Sequence, residues 1–195
     1  MSEPESKSGK QVRTTMLLAN LLVVREPRPA ELRHALADLL GLPEDAVSVA
    51  HEDWDQEDRD WGAPVLCTYC PLPPGDLAVS LDISVTASAA GDLTEADLAL
   101  GIAARVGSSV VYPAESYPPS ASWAAVPDGR AVRCSIETVE TGYGEDAVLY
   151  PFRVYNVAAP VPDLPPASPT LPAPPAPPTP SPPSPEPPPS APTPP

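Results

Sequence analysis

The hydrophobic positions along the chain follow two periods, one typical of strands and the other of helices. The clearest period of two covers residues 77–88, where one face carries Leu77, Val79, Leu81, Ile83 and Val85. Such alternation indicates a strand with one buried and one solvated face. Other apolar stretches predict strands at 14–24, 46–50 and 65–69.

Two segments have the pattern of an amphipathic helix. In the first, Pro29 stands at a helix start, leucines recur on one face, and Gly41 follows as the C-cap. In the second, Thr94 supplies an N-cap, acidic residues follow in the first turn, and an almost wholly apolar stretch ends at Gly107. We therefore expect two helices, of which the second is deeply buried.

The C-terminal half has the pattern of a β-meander, with apolar segments at 108–111, 122–126, 131–140 and 148–157. Pro151 has no N–H to donate, so the last strand lies at an edge or carries a bulge there. The order of elements predicts an α+β fold: a mixed, largely antiparallel sheet with two helices packed on it. Its first part fits a split β-α-β plan.

Composition divides the chain into a folded part and a tail. Of its 33 prolines, 20 lie in Pro160–Pro195, a segment that samples polyproline II and buries too little apolar surface to fold. We expect a disordered start at 1–11, a single α+β domain at 12–158, and a disordered proline-rich tail at 159–195.

The charge of the chain restricts its partners. The net charge is −15, from 26 acidic residues against 11 lysines and arginines, which disfavours nucleic acid and favours a basic protein. The longest apolar run, Met16–Val24, is far shorter than the roughly 20 residues of a membrane helix. Three cysteines are too few for a disulfide framework, which fits a cytoplasmic protein. The oligomeric state stays open.

The segment His51–Trp61 is the most unusual of the folded part, because six of its eleven residues are acidic and two are tryptophan. Tryptophan is enriched in interface hot spots, and carboxylates select a basic surface, so we predict a partner-binding loop. The candidate residues are Glu52, Asp53, Trp54, Asp55, Glu57, Asp58, Asp60 and Trp61. The alternative is a solvated loop whose two Trp rings pack back onto the core.

Cys67 and Cys70 form a C-x-x-C motif, which serves redox and zinc chemistry. On a strand, an offset of three residues sends the two thiols to opposite faces. A zinc site would also need Cys134 and His51 as ligands. The competing interpretation is that the cysteines are buried as small apolar residues.

The sequence contains no nucleophile elbow, P-loop, dinucleotide fingerprint or zincin motif, so we assign no catalytic residue and no cofactor. The leading hypothesis is a non-enzymatic, immunity-like or inhibitor-like module that docks on a basic partner. One alternative is a zinc-binding or thiol-dependent enzyme built on the cysteines. Another is a scaffold that acts through P-x-x-P segments of its polyproline tail.

Overall fold

One sheet holds every strand in the part of the chain that the computed structural model describes, residues 16–53, 59–114, 120–139 and 151–164. Its eight strands within these ranges are β1 (Leu17–Val23), β2 (Val47–His51), β3 (Val65–Pro71), β4 (Val79–Val85), β5 (Val110–Pro113), β6 (Ala121–Ala125), β7 (Ala131–Thr138) and β8 (Phe152–Tyr155). Their order is β2-β3-β4-β1-β5-β6-β7-β8. The pair β2–β3 is parallel, and the other neighbours pair antiparallel. The predicted α+β class is confirmed.

The helices are α1 (Pro29–Leu40), the short α2 (Ala87–Ala90) and α3 (Glu95–Val106), and a 3-10 turn at Glu44–Ala46 leads into β2. Both long helices end as predicted, since Gly41 and Gly107 adopt the left-handed conformation at φ 64° and 62°. The Thr94 hydroxyl accepts a hydrogen bond from the Asp97 N–H at 3.2 Å, which caps the start of α3. No helix in the described ranges is long and apolar enough to cross a membrane.

A split β-α-β plan was predicted for the first part of the chain, where the unit β1-α1-β2 leaves β4 and β3 between its two strands. A second such unit, β4-α3-β5, leaves β1 between its strands and was not predicted. The two helices pack against each other, and a Cβ added at Gly101 of α3 would lie 2.5 Å from Leu39 Cδ1 of α1. Glycine at this position therefore permits the close approach of the helices.

Two apolar clusters cover opposite faces of the sheet. The helix-side cluster joins strand residues such as Leu21 and Leu81 to Leu36 and Ile102 of the helices, all with no exposed surface. The second cluster lies mainly on β5–β8 and includes Val111, Val132, Val154, Val161 and Leu164. Since α1 and α3 pack on one face only, other parts of the chain must cover the second face.

The segment after β8 provides part of that cover, and this moves the domain boundary predicted from composition. Val161 and Leu164 are buried, and the Asp163 carboxylate accepts hydrogen bonds from Ser108 and Ser109. The packed chain thus extends past the expected boundary at 158 as far as Leu164. Composition placed the boundary at 158 because prolines become frequent after it. The packing depends instead on the apolar side chains of Val161 and Leu164 and on the Asp163 carboxylate. Residues 1–15 and 165–195 lie outside the described part.

Candidate functional site

β2 forms one border of the sheet, and within the described residues its ladder partner is β3 alone. The Glu52 N–H donates to the Tyr69 carbonyl of β3 at 3.1 Å. Alternate residues of a parallel strand bond to the same neighbour, so Ala50 has the same orientation as Glu52. Val49 therefore directs its N–H and C=O away from β3. The sheet ends here in backbone groups that a further strand can meet.

A groove of about 620 Å³ runs along this border. It is lined by the four consecutive residues 47–50 of β2. Consecutive side chains of a strand point to opposite faces, so a groove lined by all four follows the edge of the strand and not one face. Pro29 and Arg33 of α1 line it, as do Arg59 and Asp60 from the connection that precedes β3.

Trp61 stands beside this groove with 62% of its surface exposed. The guanidinium carbon of Arg59 lies 4.7 Å from the centroid of the Trp61 ring, a cation–π contact. Arg59 is itself 9% exposed and donates from Nη1 to the Thr68 hydroxyl at 2.8 Å. The buried guanidinium thus supports the exposed ring. The alternative that both Trp rings pack onto the core is wrong for Trp61, and Trp54 lies outside the described residues.

Exposed carboxylates lie at both ends of β2. Glu44 and Asp45 precede the strand and line the groove, while Glu52 and Asp53 follow it. Asp60 adds a further carboxylate to the lining of the groove. A ligand lying along β2 would therefore meet negative charge at each of its ends.

The structure brings together only part of the predicted binding loop. Glu52, Asp53, Asp60 and Trp61 are described and lie near the border of the sheet. The other predicted residues, Trp54, Asp55, Glu57 and Asp58, fall outside the described part. Sequence reasoning missed Glu44 and Asp45, which sit in the turn between α1 and β2. Their acidity was visible in the sequence, but their place beside the groove depends on how α1 packs against β2.

The predicted zinc ligands are not brought together. Cys67 is buried on the helix side of β3, whereas Cys70 pairs with Ser80 on the opposite face, as the strand offset predicted. Cys134 lies in β7, and four strands stand between β7 and β3, a distance of about 24 Å. His51 is buried at the end of β2, where it packs edge-on against the neighbouring tyrosine of β3. These four residues cannot bind one zinc ion, and all three cysteines are free thiols.

No protein-family model, curated protein or solved structure matches this chain. The geometry at the border of β2 is therefore the main guide to function.

The cysteine thiols are expected to react slowly in the folded protein. Burial raises the pKa of the Cys67 thiol to about 12. Partial burial, a hydrogen bond to Glu52 and the charges of Glu52 and Asp53 raise the pKa of Cys70 to about 11. The reactive form is the thiolate, so iodoacetamide should label native Cys70 slowly at pH 8 and about tenfold faster with each further pH unit. Cys67 and Cys134 should stay unlabelled until the protein unfolds.

The substitution Glu52→Gln tests this account of Cys70. It removes one negative charge and a strong acceptor beside the thiol, which lowers the thiol pKa and should speed labelling at pH 8 by about threefold to tenfold. Glu137→Gln makes the same charge change on the distant strand β7 and should leave the rate unchanged. Peptide mapping by mass spectrometry measures both rates. Equal labelling of Cys70 in the two variants would contradict the assigned cause.

Proposed function

We propose that this protein is a non-enzymatic binding module that docks a basic protein partner at the border of β2, as an inhibitor or immunity protein does. The supporting observation is an exposed aromatic ring, Trp61, held by buried Arg59 beside a groove whose lining includes the acidic residues Glu44, Asp45 and Asp60. An anchored Trp provides apolar area with little loss of side-chain freedom, and surrounding carboxylates select the partner. The three free thiols support a cytoplasmic location as part of this proposal.

The ring and the carboxylates have different roles in this proposal. Burying Trp61 under a partner supplies affinity, and truncating such an anchor commonly costs about 2 kcal/mol or more. The exposed carboxylates act at longer range. Together with a net charge of −15, they attract a basic surface and speed its association at low salt. A phosphate backbone would be repelled by the same field.

Capture from the native lysate on the immobilised full chain tests this function. One variant carries Trp61→Ala, and a second carries Glu52→Gln, Asp53→Asn and Asp60→Asn. A matched control neutralises three carboxylates elsewhere on the fold, at Asp92, Asp128 and Glu137. We expect the wild type and the control to retain the same basic protein.

The expected differences follow from the two roles. Trp61→Ala should weaken retention about 30-fold, which corresponds to the loss of an anchor worth about 2 kcal/mol. The triple variant should release the partner at lower salt than the control does. If all four proteins retain the same partners with the same salt dependence, the proposed function is wrong.

A further inference from the structure

We propose that the segment of the partner that occupies this groove is an extended basic peptide, which joins the sheet as a strand beside β2. This inference rests on the proposed function and specifies how the partner is held. It is carried by the coincidence of three features at one border: the Val49 N–H and C=O, which point away from β3, a groove along the strand, and exposed carboxylates before and after it. In this mode, main-chain hydrogen bonds supply affinity and side chains supply specificity.

The backbone of β2 determines where such a strand pairs. The Val47 N–H already donates to the Glu44 carbonyl in the turn before the strand. Val49 is therefore the residue in the middle of β2 that presents both its N–H and its C=O toward the groove. One residue of an antiparallel partner can exchange two hydrogen bonds with it. The four lining residues of β2 span about 13 Å, enough for a short added strand.

The charges around the groove determine the pattern of the peptide. Glu44 and Asp45 line the groove before β2, and exposed Asp53 follows β2 at its other end, so basic side chains are favoured at both ends of the added strand. Arg33 and Arg59 also line the groove, along with Asp60. These two guanidiniums disfavour further positive side chains on the peptide between its ends. The matching peptide thus has cationic ends and a neutral middle.

Two other occupants fit this border poorly. A second copy paired through β2 would place the carboxylates at the ends of one strand near those of the other, which is repulsive. The proline-rich part of this chain has 20 residues without an N–H between 160 and 195, and no lysine, arginine or histidine there. It cannot form a regular ladder and has no positive charge to place near the carboxylates.

Titration calorimetry on the full chain tests the inference with a blocked heptapeptide of alternating threonine and valine that carries arginine at each end. In two further versions, alternate residues are N-methylated. The methyl groups of one version lie along one edge of the peptide strand, and those of the other version lie along the opposite edge. A strand pairs with β2 through one edge only, so one version should lose at least about tenfold in affinity and the other should bind like the parent. A version with glutamate ends should not bind.

The substitution Val49→Pro provides the matching change in the protein. Because the Val49 N–H points away from β3, proline there leaves the β2–β3 ladder intact and should preserve the circular dichroism spectrum. It should abolish peptide binding, whereas Val49→Ala should retain it. If the proline variant fails to fold, the pair of N-methylated peptides still decides the question.

The remaining outcomes separate this inference from the proposed function. Equal binding of both N-methylated peptides, equal loss of both, or no binding of the parent peptide would overturn the added strand. If capture of the partner from the lysate still depends on Trp61 in that case, the proposed function is retained. If the parent peptide binds only after Lys7, Lys10 and Arg13 are changed to glutamine, the N-terminal segment of the chain itself occupies the groove. This result would overturn the proposal that a partner peptide occupies it.

Discussion

Replacing Asp163 with alanine is expected to lower the free energy of unfolding by about 3 kcal/mol. The Asp163 carboxylate accepts from the Ser109 N–H at 2.7 Å, the Ser109 hydroxyl at 2.6 Å and the Ser108 hydroxyl at 3.1 Å. Ser108 and Ser109 are 2% and 0% exposed, so water cannot easily replace the lost acceptor. Buried donors left without an acceptor cost more than the net value of the bonds they made.

The same substitution also releases the chain beyond β8. Val161 and Leu164 flank Asp163 and cover the second apolar cluster, so loosening them exposes Val111 and Val154 to water. Asp163→Asn retains one acceptor oxygen and should cost less than alanine. The control Asp92→Ala changes an exposed carboxylate and should stay within about 0.5 kcal/mol of wild type. Urea unfolding followed by circular dichroism compares them, and equal midpoints for Asp163→Ala and Asp92→Ala would contradict this account.

Leu81→Ala is expected to cost about 3 to 4 kcal/mol, because it creates a cavity under the two long helices. Leu81 lies in β4, has no exposed surface, and pairs with Leu21 in β1. Leu18 of β1 provides the matched control, since it is 62% exposed. Leu18→Ala should cost less than about 0.5 kcal/mol. Similar losses for the two leucines in urea unfolding would mean that the faces of β1 and β4 are assigned incorrectly.

Much of the fold could be predicted from local chemistry. The alternation over 77–88 identified β4, and Gly41 and Gly107 marked the ends of α1 and α3. Pro151 pointed to an edge strand, and β8 borders the sheet just after it. In each case the signal lies within a few residues of the feature, so no knowledge of the tertiary structure is needed.

The parallel pairing of β2 with β3 could not be predicted, because it depends on which strands meet across the sheet. The same limit applies to the candidate site. The acidic loop drew attention to the end of β2, but Glu44 and Asp45 come beside the same groove as Asp60 only once α1 packs beside β2. The buried role of Asp163 was likewise hidden, since its partners, Ser108 and Ser109, are more than 50 residues away in sequence.

Amide hydrogen exchange at Val49 and Ala50, followed by NMR on the full chain, tests most directly whether the border of β2 is an open docking edge. In the free protein we expect the Val49 N–H to exchange at least about tenfold faster than the Ala50 N–H, which points to β3. Saturation with the arginine-ended heptapeptide should slow exchange at Val49 and leave Ala50 unchanged. Equal protection of both amides in the free protein, or no change at Val49 on saturation, would contradict the open edge.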